Sequence, residues 1–402
     1  MTLSHPNKKP IRLKISRGLE KKIRNGHPWI FDYQITNQTD SREPPGLGVV
    51  YDSSNHFLAL GLYDPESAIR LRVLQTGKPS TIDQNFFHQR LEKAWAAREF
   101  LESDSTNGFR IINGENDGFP ALVLDRYADT LVMKIYSSAW IPFLRELCDI
   151  FKFGDKFKRC VIRLSRNFSD KTICDGDLLF GPQIKGPLIF NENGLVFNAD
   201  VMNGQKTGFY FDQRENRERI RDMARDQSVL NAFSYTGAFS VYAMAGGCKS
   251  VLEIDSNPHA LKMARSNIKL NFPRWADEEK KIDQIQGDAF KKLSQLADSN
   301  RKFDLVILDP PALASGKTHK TQALKAYAKL AREGARMVAV GGNLFSASCS
   351  RPIQLNEFSK AVEQGIASAR RNGHETFRSD HAIDHPVTFS GGGYLKAVFW
   401  KF

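Results

Sequence analysis

Over its last two hundred residues the chain alternates strand-like runs with helical stretches. VLNAFS is followed by a helix near 238–246, then SVLEID, a helix from 258, KIDQIQ, FDLVILD, a helix near 320–334, GGNLFSAS, a helix from 352 and YLKAVFW. Few architectures accommodate such a pattern: it predicts a mostly parallel sheet with helices on both faces, the Rossmann-like α/β class. In sheets of that kind ligands gather outside the carboxyl ends of the strands, so the residues closing each strand are the first place to look for chemistry.

The upstream half is punctuated differently. Short apolar runs between residues 11 and 80 (VVYD, FLALGLY, IRLRVL), separated by Gly, Pro, Asn and Ser, predict a small mostly-β domain over 1–80. In 81–107 the period becomes helical, with Phe87, Leu91, Ala94, Arg98 and Leu101 in step behind a Thr81-x-x-Gln84 capping signal, which predicts a connecting helix. Residues 108–196 read as strand, turn, strand, turn, strand and then a helix near 139–151, a central α+β module, leaving 197–402 for the Rossmann-like domain. Several domains suit a chain of 402 residues, more than one hydrophobic core usually serves.

Lys plus Arg number 57 against 45 Asp plus Glu, a formal charge of +12, which favours a polyanionic partner and nucleic acid first. Eight of the basic residues (Lys8, Lys9, Arg12, Lys14, Arg17, Lys21, Lys22, Arg24) fall within the first thirty positions against Glu20 alone, as RNA contacts or as a solvated face. Five cysteines without a C-x-x-C pair argue against a disulfide framework and against zinc. With no signal peptide and no membrane-spanning apolar run in the sequence, a protein of the reducing cytoplasm is expected, with no membrane partner and self-association into a homodimer left open.

The strand ends carry the chemical signal. "NAFSYTGAFSVYA" closes the first strand, where Gly237 can make the tight turn that lets backbone amides approach a nucleotide-type ligand. Phe233 and Tyr235 of that run count with it among the expected cofactor residues. Asp255 closes the second strand, positioned to accept both hydroxyls of a ribose, and Asp288 ends the third, where it could accept an adenine amine. Taken singly, each is also an ordinary turn glycine, helix cap or turn carboxylate. The fourth strand ends in "LDPPALASGK". A nicotinamide dehydrogenase has no use for Asp-Pro-Pro there, whereas a methyltransferase uses an acidic or amide group plus proline to hold a target base. S-adenosylmethionine, which has no pyrophosphate, also explains why no G-x-G-x-x-G is present.

Together "NGQKTGFYFDQRENR" (203–217), "NAFSYTGAFSVYA", "LDPPALASGK", "SASCS" and "DHPVTFSGGGYLK" resemble the ribosomal RNA large-subunit cytosine-C5 methyltransferases, and "RNGHPWIFDYQI" and "NGENDGFPALVLDRY" resemble that family's earlier domains. The resemblance covers nearly the whole chain. It implies a PUA-like RNA-binding domain, a central α/β module, a class I methyltransferase domain, S-adenosyl-L-methionine as cofactor and large-subunit ribosomal RNA as partner. It also implies that the 203–217 segment folds over the cofactor, with Lys206, Thr207, Phe209, Asp212 and Arg214 near its methionine end and the residues after them helical. Aromatic rings can enclose a sulfonium and charged groups can engage a zwitterion, which agrees with that role.

Carbon 5 of cytosine is a poor nucleophile until something adds at carbon 6, so its methylation calls for a thiolate. Cys349, ending a strand before a helix expected to be led by Pro352, is the candidate, with helix amides and Arg351 lowering a free thiol pKa of about 8.5. A small buried strand-end residue is the alternative. Cys148, Cys160, Cys174 and Cys248 read as structural. Asp309 is expected near N3 and the amine of the ring, or else merely orders the Pro310-Pro311 turn. The sequence identifies no base for the carbon-5 proton. Where many RNA cytosine-C5 enzymes carry a second cysteine after the fourth-strand proline, this chain has Pro311-Ala312. No metal site is expected. His385 reads as a structural loop histidine, and His27, Trp29 and Phe31 as core of the small β domain rather than base-stacking platforms. The rival readings are a guanine methyltransferase on the same fold, which needs no cysteine; a non-catalytic ribosome-assembly factor; and a nicotinamide oxidoreductase.

Overall fold

The structure of the chain, a computed structural model, describes residues 9–38, 44–152, 156–165, 168, 172–272 and 279–402; Lys8, at the head of the basic run, lies outside them. The chain divides into two compact units. The first comprises residues 1–190, 199–209 and 383–392, and the second 191–198, 210–382 and 393–402. The expected small β domain and connecting helix belong to the first, as does the expected central module up to residue 190; residues 191–196 fall in the second.

In the first unit, six strands pair in the order Trp29–Ile30, Leu71–Thr76, Phe57–Tyr63, Gly46–Tyr51, Ile11–Ile15 and Ile35–Gln38. Their core is mostly aliphatic, built on Leu13, Ile23, Ile30, Val50, Leu58 and Leu71, with Tyr63 also buried in it. This corrects the expectation for the aromatics: His27, Trp29 and Phe31 are only half-buried, and Trp29 donates its indole N–H to Glu115 at 2.8 Å. The basic run contains an unforeseen helix, Arg17–Arg24, whose Leu19 and Ile23 turn inward while Lys21 and Lys22 turn out. Arg24 is partly neutralised there by Asp52 at 2.7 Å.

A second sheet in the same unit runs Leu178–Phe180, Arg159–Leu164, Thr130–Ile135, Leu122–Tyr127 and Gly108–Asn113. The helix Gln84–Ala96 buries Phe87 and Leu91 in its core beside Phe119 and Trp140, so it is part of that module's packing as well as a link. Its cap is Asp83, which accepts the Phe86 N–H at 2.9 Å, and not Thr81: the aspartate sits immediately before the first helical residue, where a side-chain acceptor can reach an orphan amide.

The second unit contains a seven-stranded sheet in the order Ile282–Gln286, Ser250–Asp255, Ser228–Ala232, Phe303–Leu308, Val338–Ser348, Lys396–Lys401 and His374–Ser379. The first five are parallel and the last two pairings antiparallel. Two elements went unread in the sequence: the helix Ala289–Asp298 and the polar edge strand His374–Ser379, whose HETFRS has no apolar alternation to announce it. Strand order reverses between Ser228–Ala232 and Phe303–Leu308, which opens a crevice at their carboxyl ends. Among the described residues, no helix is long and apolar enough to cross a membrane and no three His, Cys, Asp or Glu side chains gather as a metal site.

Candidate active site

At the carboxyl end of Ser228–Ala232 the chain makes an unusual turn. Phe233, Tyr235 and Gly237 have φ of 62°, 48° and 73°, so three of five consecutive residues are left-handed and two of them are aromatic, a conformation that costs energy and collects at functional sites. Gly237 is required for a second reason: a Cβ there would lie 2.6 Å from the Ala264 Cβ and 2.7 Å from Glu253 Oε1. The turn is held from the next strand, where the Asp255 carboxylate accepts the backbone N–H of Tyr235 at 2.8 Å and of Asn257 at 2.9 Å. The half-buried Phe233 ring stands edge-on to Phe290, 5.7 Å away. Asp288, exposed beside it, caps the helix Ala289–Asp298 by accepting the Lys291 N–H at 3.0 Å. The buried Ser234 hydroxyl in the middle of the turn has no hydrogen-bond partner among the described residues, an atom that a polar ligand would satisfy. Aromatic faces, two carboxylates with spare lone pairs and an orphan hydroxyl are the donor and acceptor set a nucleoside-bearing cofactor requires.

Across the crevice, Phe303–Leu308 and Val338–Ser348 deliver Asp309 and Cys349. Cys349 is half-buried, its Sγ 4.0 Å from the Pro310 carbonyl. The two loops are stitched by one hydroxyl: Ser350 Oγ accepts the N–H groups of Leu313 at 2.9 Å and Ala314 at 3.1 Å and lies 2.9 Å from Tyr327 Oη. Tyr327 in turn accepts from Ser348 Oγ at 2.9 Å. Residues on both sides of the cysteine are therefore fixed by the helix Lys320–Met337. The helix after it begins at Leu355, capped by Gln354, and not at Pro352; Ser350–Ile353 forms a turn instead, so the helix end lies farther from Cys349 than the sequence suggested. Arg351 is exposed.

Tyr210 joins the group. Its hydroxyl is driven well above the ordinary tyrosine range by burial first and then by Tyr235, Asp212, Cys349 and Asp309, which puts five of the site's titratable side chains within electrostatic reach of one another. The Tyr210 and Tyr235 rings meet edge to face at 5.4 Å. Asp212, buried, accepts from Tyr394 Oη at 2.7 Å, and His381 Nε2 accepts the N–H groups of Tyr394 and Leu395 at 3.0 and 2.9 Å, which leaves any ring proton on Nδ1.

The 203–217 segment is divided between the units. Within the first, the left-handed Lys206 gives its carbonyl to Lys134 Nζ at 3.1 Å, the buried Thr207 hydroxyl donates to Asp125 at 2.5 Å, and Phe209 packs edge-on to Phe190 at 5.0 Å. Within the second, Arg214 lies buried 3.6 Å from Glu192, which Arg217 clamps with two bonds of 2.8 and 2.7 Å. His385 sits in the first unit, buried and 2.8 Å from Asp384, in keeping with its structural reading. Sequence reasoning missed Tyr210, Tyr327, Ser350 and Lys396. The last left a signal, a lysine directly before the apolar run AVFW of the terminal strand.

Comparison with known proteins bears on this site. A family model for S-adenosylmethionine-dependent methyltransferases matches residues 162–370 and one for a PUA-like domain matches residues 13–76. A ribosomal RNA large subunit methyltransferase of Deinococcus radiodurans is 43% identical over 398 residues, covering 97% of each chain. A ribosomal RNA large subunit methyltransferase I of Aliivibrio fischeri is 34% identical over 400 residues, covering 96% of this chain and 98% of its own. Among solved structures, a putative methyltransferase from Streptococcus mutans aligns over 97% of this chain and 100% of its own with a TM-score of 0.82 at 20% identity. A putative methyltransferase complexed with SAH aligns over the same shares with a TM-score of 0.83 at 21% identity. These structural likenesses speak to the fold alone, and the expected fold class, PUA-like domain included, is borne out, as is the S-adenosylmethionine dependence.

Proposed function

We propose that this chain, which belongs to the family of S-adenosylmethionine-dependent ribosomal RNA large subunit methyltransferases, methylates carbon 5 of a cytosine in large-subunit ribosomal RNA through a covalent bond to Cys349. The observation that carries the reading is the pairing of a half-buried thiol at one strand end with Asp309-Pro310 at the next, in loops tied together through Ser350. That is the arrangement an attack on a pyrimidine ring needs, a nucleophile beside a group that can hydrogen-bond the ring edge.

The cofactor set we propose is Phe233, Tyr235, Gly237, Asp255 and Asp288, with Asp309 on the base side. Asp255, with lone pairs left over from its two backbone bonds, would hold the ribose hydroxyls, and Phe233 and Asp288 would hold the adenine. When bound, S-adenosylmethionine supplies an electrophilic methyl carbon. The Cys349 thiolate adds to carbon 6 of the cytosine, forming a C–S bond as the 5,6 double bond opens and its electron pair moves to carbon 5. Asp309, in its protonated form, would donate to N3 with one oxygen and accept from the amine with the other, so that a proton meets the negative charge that develops on the ring. Tyr210 and Tyr235 wall the reacting atoms from water. After methylation, loss of the carbon-5 proton restores the double bond and expels Cys349 as thiolate. Pro311 and Ala312 supply no second thiol for that expulsion. The basic amino-terminal sheet would hold the RNA through phosphate and shape contacts, in the cytoplasm.

Methyl transfer from labelled cofactor to ribosomal RNA, with nucleosides identified by mass spectrometry, tests this. Wild-type protein should yield 5-methylcytidine and Cys349→Ala should lower the yield at least about a hundredfold. A methylated guanine, or full activity without the thiol, defeats the proposal.

A further inference from the structure

Lys396 opens the strand Lys396–Lys401, in register with Ser348, the residue before the cysteine. Its side chain is buried, with 5% exposure, and Nζ donates to the carbonyls of Ser350 at 2.7 Å and Ile353 at 2.8 Å. The ammonium therefore lies beneath the turn that carries Cys349. Among the described residues no carboxylate forms an ion pair with it. Glu357 is the acidic group that faces it, and that carboxylate is already bonded to Lys320 Nζ at 2.6 Å and to the Gln354 N–H at 2.9 Å. A buried cation with only carbonyl dipoles around it is costly, and a neighbouring group able to become an anion relieves the cost.

We propose that Lys396 is the positioning residue that makes Cys349 a thiolate, its buried ammonium serving as the counter-charge for the sulfur while its two hydrogen bonds hold the turn behind it. This rests on the reading of Cys349 as nucleophile, yet the electrostatic link can be measured without catalysis. Burial draws Lys396 down to about 8, with Cys349 and then Glu357 pulling the other way. The ammonium and thiolate titrate as a pair. Among the described residues Tyr210 and Tyr327 also face the sulfur, both held protonated chiefly by burial; of the charged groups on the same two loops, Asp309 when ionised is an anion that opposes a thiolate and Arg351 is an exposed cation. The thiolate fraction rises with pH, and the buried ammonium shifts that rise to lower pH.

The test follows alkylation of Cys349 by iodoacetamide against pH in the full chain, read on the Cys349 peptide by mass spectrometry so that the other four cysteines do not interfere. Wild type should show a midpoint at least about one unit below the free-thiol value of about 8.5. Lys396→Gln, which keeps a donor for the carbonyls but no charge, should raise that midpoint by about one unit and slow alkylation about tenfold at pH 7. Lys396→Arg should stay within about threefold of wild type. A merely structural lysine would leave the midpoint of a folded Gln variant unchanged, and that result overturns the proposal. Should the Gln variant fail to fold, a wild-type midpoint at or above about 8.5 overturns it equally. Full methyl transfer by Cys349→Ala alongside a depressed wild-type midpoint would sink the nucleophile reading while leaving the Lys396 link in place.

Discussion

The two sides of the crevice are built by different means. On the side of the first two strands, the turn 233–237 takes its shape from the backbone: three left-handed residues, a glycine with no room for a Cβ, and a carboxylate bonded to main-chain amides. On the side of the fourth and fifth strands, loops 309–314 and 348–353 are held by side-chain hydroxyls and an ammonium, through Tyr327, Ser350 and Lys396. A backbone-determined turn presents the same surface whatever occupies it, which suits a cofactor bound every cycle. A turn held by titratable and polar side chains can tune the charge state of what it carries, which suits a nucleophile.

The sharpest way to break this contrast is Gly237→Ala. The added methyl must displace Ala264 or Glu253, and the residue must keep a positive φ, so a loss of about 2–4 kcal/mol in urea unfolding is expected, with S-adenosylhomocysteine binding weakened in calorimetry. Unchanged stability would mean that the turn is not fixed by its backbone. Ser350→Ala should come next. It strands the N–H groups of Leu313 and Ala314 and costs about 1–3 kcal/mol, while cofactor affinity stays near wild type and kcat falls. A Ser350→Ala protein that lost cofactor binding instead would erase the division between the two sides. Tyr327→Phe removes hydroxyl contacts to the same loop but leaves no backbone amide unpaired, so about 1 kcal/mol and a smaller fall in kcat are expected.

That division also explains what could be read from the sequence. The sheet was legible because strand and helix alternate in period, and Gly237, Asp255, Asp288, Asp309 and Cys349 were legible because each lies at or shortly after a strand end, a position sequence order alone assigns. The hydroxyl network was not, since Ser350 and Tyr327 are 23 residues apart and meet only after the helix Lys320–Met337 has packed. The helix start at Leu355 escaped because Pro352 mimics a first-turn proline, whereas the actual entry is marked by Gln354 and Glu357 bonding back to one another. In the 203–217 segment the residue types were readable but their partners were not: Asp125 lies 82 positions before Thr207, and Glu192 lies 25 positions before Arg217.

The smallest effect expected is also the most discriminating on the cofactor side. Asp288 both caps a helix and stands where an adenine amine would find an acceptor, and alanine would confound the two roles by costing about 1 kcal/mol of cap. Serine separates them. It caps nearly as well as aspartate, so stability should change by less than about 0.5 kcal/mol, but its short hydroxyl cannot bond the Lys291 amide and reach outward at once. If Asp288 accepts from the cofactor, Asp288→Ser should weaken S-adenosylhomocysteine binding about fivefold, the worth of one hydrogen bond at an exposed rim. If affinity and stability are both untouched, Asp288 is a cap and nothing more, and the proposed cofactor contacts contract to the residues that the backbone of the 233–237 turn and Asp255 hold in place.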